Sequence, residues 1–410
     1  MAINNWQIKK IKEIASFNEL NVDRFKFKEI EYIDTASVRE GRVIEKKIMK
    51  FENSPSRAKR ILRNNDIIIS TVRPNLKHYA FVKDVRENTI CSTGFVVITP
   101  KEADPKFLYY YLTQDSFIKF LTQIAEAHTS AYPAFNPDII ENSKILLPEI
   151  NEQKDIGDVL YSIDKKIELN NVINNYLEQI SQALFKHWFI DFEFPDEQGK
   201  PYKSSGGEFV DSELGKIPKG WEITSLGTLI TFNKGKKPLE TSAIRIKEFL
   251  PLILIERLRN NFGEYASAEK MQLVNSDDVI MIMDGASSSE VFIGYEGVLG
   301  STIGAFKPKD KNILSPYFLY YFLKINFEYL KNNNFGAAIP HANKDVINRL
   351  VLVLPKKTLM DIFHKQCLDV YKIIINLRKE NENLSQIRDT LLPKLITGKI
   401  RVNLEDIKEG

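Results

Sequence analysis

Residues 151–188 most constrain the fold of this chain. The stretch contains no proline, its only glycine is Gly157, and its apolar residues recur three or four positions apart. This spacing predicts a helix with a narrow apolar seam, close to the 3.5-residue period of a coiled coil. Such a helix, of about 35 residues and about 50 Å, is long for a globular protein. The predicted seam comprises Ile156, Leu160, Ile163, Ile167, Leu177, Ile180 and Leu184, and Asn170 and Asn174 interrupt it.

A second stretch of the same kind covers residues 358–392. Leu384 lies 207 positions after Leu177, and two further seam residues keep the same offset. Each stretch follows an apolar run ending in proline, ILLP at 145–148 and LVLP at 352–355. The chain is therefore predicted to be a duplication of two domain-sized units. The second seam is predicted to comprise Phe363, Val370, Ile374, Leu377, Leu384, Ile387 and Leu391.

Shorter motifs also repeat in the same order in the two halves. NDIIIST at 65–71 matches DDVIMIMDG at 277–285, and both are predicted to contain a strand. FLYYYL at 107–112 matches FLYYFL at 318–323, and their spacing predicts helices packed in the core. The first of these helices is predicted to cover residues 107–123, after Asp104 and Pro105. The loops differ between the halves, which indicates two related but non-identical binding surfaces.

The composition sets broad limits. A chain of 410 residues is too long for one ordinary core, and its net charge of +3 gives only weak support for an anionic partner. Cys91 and Cys367 are predicted to be buried thiols in a reducing compartment. No run of 18 apolar residues is present, and the N-terminal segment has no signal-peptide core, so a cytoplasmic protein without membrane contact is expected.

Motifs for self-contained catalysis are missing from the sequence. There is no Walker A pattern, no strand-linked G-x-G-x-x-G, no H-E-x-x-H and no paired C-x-x-C, and the five histidines are scattered. We therefore expect no catalytic, cofactor-binding or metal-binding residues in this chain. These absences do not extend to the carboxylate-lysine motif of nucleases, which is short and degenerate.

Basic loops recur at corresponding early positions of the two halves, which favours DNA contact over a merely solvated charged surface. Both include asparagine beside lysine or arginine, and these side chains can pair with base edges. Tyr132 and His341 lie in matching loops beside matching prolines, where a DNA contact and a structural role are equally compatible with the sequence. The candidates for DNA contact are Lys46, Lys47, Arg57, Lys59, Arg60, Arg73, Asn75, Lys77, Tyr132, Lys234, Lys236, Lys237, Arg257, Arg259, Asn260 and His341.

The duplicated order, the two long helices and the ending RDTLLPKLITGKI together resemble the DNA-specificity subunit of a type I restriction-modification system. The resemblance covers the whole chain. It implies an α+β fold in which two similar α/β target recognition domains are joined by two long antiparallel coiled-coil helices, as a pseudo-two-fold repeat. The expected divisions are a first recognition domain at 1–150, a central helix at 151–190, a linker at 191–220, a second recognition domain at 221–356 and a C-terminal helix at 357–410.

The same resemblance implies a non-catalytic role in a larger complex. Each recognition domain would read one half of a bipartite, asymmetric site in double-stranded DNA, and the helices would space the half-sites. Two methyltransferase subunits would bind the chain, and restriction subunits would bind through them. S-adenosylmethionine, ATP and Mg²⁺ would belong to those partner subunits. The outer faces of the helices, expected to dock partners, would display Tyr161, Tyr176, Phe185, Trp188 and Tyr371.

Two other classes of function stay open from the residues alone. A single-chain DNA methyltransferase or nuclease with its own recognition domain would bind S-adenosylmethionine or a metal ion. A purely structural coiled-coil adaptor would show no sequence-selective DNA binding, even with partner subunits present.

Overall fold

The computed structural model describes residues 6–23, 27–128, 132–260, 262–336 and 340–402, with the side chains of His128 and Asn260 excluded. The chain divides into two compact units. The first unit combines residues 1–165 with residues 384–410, and the second comprises residues 166–383. Each unit therefore contains part of both long helices.

The first unit contains short strands followed by helices. Its helices are α1 (Pro105–Thr113), α2 (Asp115–His128), α3 (Asp138–Asn142) and the start of α4 (Ile150–Phe185). Its strands are β1 (Gln7–Lys10), β2 (Ala15–Phe17), β3 (Glu29–Ile33), β4 (Val38–Arg39), β5 (Arg42–Val43), β6 (Lys47–Lys50), β7 (Ala58–Ile61), β8 (Ile67–Ser70), β9 (Tyr79–Phe81), β10 (Thr89–Ser92), β11 (Phe95–Pro100) and β12 (Lys144–Leu147).

The second unit has the same kind of content. Its helices are α5 (Leu226–Leu229), α6 (Ile255–Asn260), α7 (Pro316–Ile325), α8 (Phe327–Asn332), α9 (Lys344–Arg349) and most of α10 (Lys357–Ile396). Its strands are β13 (Phe209–Ser212), β14 (Gly215–Pro218), β15 (Glu222–Ser225), β16 (Ile230–Lys234), β17 (Thr241–Ser242), β18 (Phe249–Ile253), β19 (Tyr265–Ser267), β20 (Leu273–Val274), β21 (Val279–Ile282), β22 (Val291–Phe292), β23 (Gly297–Leu299), β24 (Ile303–Pro308) and β25 (Val351–Leu354).

The sheets of the two units correspond strand by strand. The antiparallel order β2-β11-β8-β9 in the first unit matches β16-β24-β21-β22 in the second. A second sheet, β6-β3-β10-β7, matches the strands β19-β18-β23-β20 of the second unit, where β17 adds a fifth strand beside β19. Each of these sheets contains one parallel pair. The pairing of β1 with β12 matches that of β15 with β25. The duplication predicted from sequence is thus present in the topology of both units.

Local sequence explains where the aromatic helices begin. The carboxylate of Asp104 accepts the first free N–H groups of α1, the hydroxyl of Ser315 does the same for α7, and a proline follows each cap. The aromatic side chains of both helices are buried in the cores, as predicted. The prediction of one helix over 107–123 is wrong, because the extended backbone of Gln114 separates α1 from α2.

The long helices run antiparallel within each unit. In the second unit, Asn170 contacts Asn381 and the Phe185 ring lies 6.0 Å from that of Phe363. In the first unit, Asp164 pairs with Arg388 at 2.7 Å. As residue numbers rise along α4, the contacted residues of α10 have falling numbers. At 36 residues, α4 is about 54 Å long.

The predicted seam is wrong at two matching positions. Ile180 and Ile387 are 61% and 49% exposed, and the next residue on each helix points inward instead. Ser181 is buried and bonds to the carbonyl of Leu177, and Arg388 bonds to Asp164. A polar residue with a partner can therefore occupy the inward position and displace the isoleucine before it.

The expected outer aromatic surface is also wrong for three residues. Phe185, Trp188 and Tyr371 are buried in the core of the second unit. A π-helical turn at Lys186–Ile190 follows α4. It places Trp188 and Phe189 in that core, a change of period that a regular heptad pattern cannot anticipate. Tyr176 is exposed as expected.

Candidate nucleic-acid interface

In the first unit, the loop after β8 contacts the loop before α3. Val72 and Ala134 form an antiparallel bridge, and the N–H of Arg73 donates to the carbonyl of Pro133 at 2.7 Å. These bonds bring Arg73 beside Tyr132, although the two residues are far apart in sequence. The guanidinium of Arg73 lies 5.0 Å from the centroid of the Tyr132 ring.

The second unit builds the same arrangement after β21. Asp284 and His341 form the matching antiparallel bridge, and the N–H of Gly285 donates to the carbonyl of Pro340 at 2.8 Å. The alignment of Pro340 with Pro133 in sequence therefore corresponds to an equivalent hydrogen bond. The units share one backbone design but present different side chains on it.

Arg73 has an unfavourable backbone conformation. Its φ of 48° and ψ of 61° lie in the left-handed region, which costs a non-glycine residue roughly 1–2 kcal/mol. The second unit has Gly285 at this position, with φ of 94°. The backbone thus favours glycine at this position. The presence of arginine is therefore explained by a role of its side chain and not by the conformation of the turn. Strain of this kind concentrates at functional sites.

A charged cluster takes the equivalent place in the second unit. The carboxylate of Asp284 lies 2.7 Å from Nδ1 of His341 and 3.3 Å from Nζ of Lys234. The His341 ring also packs on Phe335, with centroids 5.4 Å apart. A hydrogen bond from Nδ1 to the carboxylate leaves Nε2 as the remaining polar atom of the ring.

A basic hairpin adjoins the loop of Arg73. Strands β4 and β5 are joined by Glu40 and Gly41, both with positive φ, as a type I′ turn requires. The N–H of Glu40 donates to the carbonyl of Lys77 at 2.8 Å. Arg39 and Arg42 face each other across the hairpin, both exposed, and neither forms an ion pair with any described residue. Opposed like charges are destabilising, which favours an anionic ligand here.

The other candidates in the first unit differ in how strongly they are held by the protein. Lys46 donates to the carbonyl of Asp84 at 2.8 Å, Lys47 to Asp34 at 2.7 Å, and Lys77 to Asp115 at 2.8 Å. Three further candidates are exposed and form no side-chain hydrogen bond or ion pair with any described residue: Arg57, Lys59 and Asn75.

Two of these cations show why a basic run alone does not define a DNA surface. Burial raises the pKa of Asp34, but the hydrogen bonds from Lys47 and Ser37 outweigh it and hold that pKa below its ordinary value. The same hydrogen bond raises the pKa of Lys47. Burial lowers the pKa of Arg60, which donates to Asn18 and to the carbonyl of Phe95. Arg60 is therefore partly buried and held by acceptors within the first unit.

The candidates of the second unit also divide into exposed side chains and side chains that are paired within the protein. Lys236 and Lys237 are exposed directly after β16, whereas Arg259 pairs with Glu290 at 2.6 Å. The side chain of Asn260 lies outside the described residues.

Arg257, a predicted DNA contact, is instead buried in the protein, because its side chain is only 5% exposed. It donates to the carbonyls of Leu252, Gly263 and Glu264 and lies 3.4 Å from the carboxylate of Glu382.

Arg257→Met is expected to lower the free energy of unfolding by about 3–5 kcal/mol, because it leaves a buried network without its donor. Chemical denaturation of the purified chain measures this. Arg259→Met is the matched control, and loss of its surface pair should cost about 1 kcal/mol or less. Equal effects of the two substitutions would contradict the structural role of Arg257.

Metal and membrane sites are not indicated within the described ranges. These residues include no group of three histidine, cysteine or acidic side chains placed to hold a metal ion. None of the described helices is both long and apolar enough to cross a membrane.

Comparison with known proteins decides the family. The model for the type I restriction modification DNA specificity domain matches residues 3–179 and again residues 218–383. The chain belongs to this family. The resemblance predicted from sequence is thereby confirmed, and the double match agrees with the duplicated topology.

Several specificity subunits resemble this chain over nearly its whole length. That of the HindI type I restriction enzyme from Haemophilus influenzae is 26% identical over 462 aligned positions, covering 97% of this chain and 100% of the relative. The MjaIX subunit from Methanocaldococcus jannaschii is 27% identical over 429 positions, covering 97% and 94%. The solved type I restriction-modification S subunit from M. genitalium is 16% identical, covers 96% and 98%, and has a TM-score of 0.55. That likeness supports the α+β fold.

Within this specificity subunit, sequence reasoning missed Arg39 and Arg42 as individual candidates, although it flagged their basic run. The available signal was the segment VREGRV, a two-residue turn between strand-forming valines with arginine on both sides. It also missed Asp284, which only the fold brings next to His341.

Proposed function

We propose that this specificity subunit reads a bipartite, asymmetric site in double-stranded DNA, one half-site with each unit. The observation that carries the proposal is the pair of matching loop arrangements, one around Arg73 and Tyr132 and the other around Asp284 and His341. Equivalent backbones with different side chains are expected to recognise two different short sequences. The two units, although similar in backbone, would then recognise two different half-sites.

In the first unit, the loop that contains Arg73 contacts the base edges directly. The guanidinium of Arg73 can pair with guanine through two hydrogen bonds, and the amide of Asn75 can pair with adenine. Arg39 and Arg42 serve as phosphate contacts, since their opposed charges are relieved by an anion between or beside them.

In the second unit, the ring of His341 supplies the base-edge group, held by Asp284 and Phe335. Lys236 and Lys237 contact phosphates. Lys234 is paired with Asp284, so we assign it to positioning the cluster rather than to the DNA backbone.

An apolar stripe on α4 suits a protein partner. Leu169, Val172, Tyr176 and Ile180 are exposed and spaced by three, four and four residues, the spacing of a coiled-coil seam. A cavity of about 750 Å³ adjoins the stripe, and Ile180, Leu184 and Val370 contribute to its lining. We assign this surface to a methyltransferase subunit.

The assembly would contain two methyltransferase subunits for each chain, with restriction subunits bound through them. The catalytic steps and S-adenosylmethionine, ATP and Mg²⁺ belong to those partners. Membership of the specificity family supports this division over a single-chain methyltransferase or nuclease. Mass measurement of the co-expressed complex tests the stoichiometry, and a fully active complex with one methyltransferase subunit would contradict it.

Replacing both Lys236 and Lys237 with alanine tests DNA contact by the second unit. The variant complex should bind any duplex more weakly, and its salt dependence should be less steep by about 2 in log–log slope, because each lost phosphate contact removes about 0.9. Titration of labelled duplexes at several salt concentrations measures this slope.

The control replaces Lys216 in β14 and Lys219 directly after that strand, both distant in sequence from the two loop arrangements. It removes the same charge and should leave the slope unchanged. An unchanged slope in the Lys236 and Lys237 variant would instead exclude phosphate contact at β16.

A further inference from the structure

Polar residues interrupt the apolar contact between the long helices in the second unit. Asn170 is fully buried, and Asn174 and Asn381 are nearly so. Nδ2 of Asn170 donates to Oδ1 of Asn381 and to Oε2 of Glu380, both at 2.8 Å. Nδ2 of Asn381 donates to Oδ1 of Asn171 at 3.0 Å. We call Asn170, Asn171, Asn174 and Asn381 the asparagine layer.

This layer does not maximise stability. The Oδ1 atoms of Asn170 and Asn174 are buried and have no hydrogen-bond partner among the described residues. Unpaired buried amides are unfavourable, and leucine at such positions usually makes a helix pair more stable. The layer therefore requires another explanation than the stability of the fold.

Its hydrogen bonds are specific to one alignment of the two helices. Ile167 on α4 and Ile374 on α10 are buried apolar residues near the layer. Sliding one helix by a turn in the direction that brings Asn381 opposite Ile167 would place the Asn381 amide against an apolar side chain and remove its bond to Asn170. The ion pair of Lys166 with Glu380, at 3.5 Å, would be lost as well. A buried asparagine is a known means of fixing register in paired helices.

We propose that the asparagine layer fixes the register of α4 against α10 and thereby fixes the length of the gap between the two half-sites. This inference rests on the proposed function, in which the helices space the half-sites. A slip of one helical turn moves a helix by 5.4 Å, which corresponds to about one to two base pairs of DNA. Asn170 and Asn381 are then positioning residues for site selection without touching DNA.

The test replaces both Asn170 and Asn381 with leucine in the full chain, assembled with its methyltransferase subunits. Substrates carry constant half-sites and gaps that differ one base pair at a time. The melting temperature should stay the same or rise. Preference for the native gap over gaps changed by one or two base pairs should fall roughly 5- to 150-fold, the range expected from one unpaired buried amide.

Asn175→Leu is the matched control, because Asn175 is exposed on the same helix. It should keep the native gap preference. Asn381→Leu alone, which removes the bond to Asn170, is a second variant in case the double substitution prevents folding. It should also broaden the accepted gaps.

The outcomes separate this inference from the proposed function. A wild-type complex without any preferred gap would refute spacing by the helices altogether. A wild-type complex with one preferred gap, kept unchanged by the folded leucine variants, would overturn the register role of the layer alone.

Discussion

Arg73→Gly is expected to weaken selectivity for the first half-site strongly while changing the free energy of unfolding by no more than about 1 kcal/mol. Glycine relieves the left-handed strain of roughly 1–2 kcal/mol but adds about 0.5–1 kcal/mol of chain entropy to the unfolded state. Loss of a two-bond contact to guanine should cost about 1–3 kcal/mol of discrimination, roughly 5- to 150-fold in methylation of the cognate site. Competition between cognate and single-half-site variants measures it.

Lys270→Gly provides the backbone control. Lys270 also has positive φ, at 58°, and lies in the second unit. This substitution should change stability to a similar extent and leave selectivity for the first half-site intact. If Arg73→Gly weakened binding to cognate and random DNA equally, Arg73 would be a phosphate contact. A large loss of stability would instead indicate a structural residue.

Lengthening both long helices by seven residues is expected to move the recognised half-sites apart. The insertions duplicate residues 159–165 after Lys165 and residues 384–390 before Leu384, at the borders between the two units. Seven helical residues add about 10.5 Å, or about 3 base pairs. Three base pairs also rotate the DNA by roughly 100°, so we expect the preferred gap to grow by about 1–3 base pairs.

Both half-sequences should be unchanged in this variant, because no loop is altered. The control inserts seven residues into the turn between β13 and β14, which lengthens the chain without lengthening either long helix. It should keep the native gap. Activity of the helix variant only at the original gap would show that the helices join subunits without measuring DNA.

The duplicated architecture could be predicted from sequence because its signals are local or periodic. The apolar runs, the capped aromatic helices and the constant offset between Leu177 and Leu384 all lie within short segments. The prediction of the seam fails where a polar residue pairs with a residue that is distant in sequence. Arg388 turns inward because Asp164 lies opposite it, which no heptad pattern shows.

The candidate DNA surface was less predictable for the same physical reason. Whether a basic residue is available for DNA depends on which acceptors the fold brings near it. Arg257 is 125 positions from Glu382 and is buried against it, whereas Lys236 and Lys237 remain exposed. The strain at Arg73 depends on backbone angles, which the sequence VRPN does not specify by itself.

Methylation mapping tests the central claim most directly. DNA is modified by the complex of this chain with its methyltransferase subunits, and every methylated position is located by sequencing. The account predicts one motif with two different specified halves separated by an unspecified gap of constant length. A single continuous motif, or the same methylation without this chain, would contradict it.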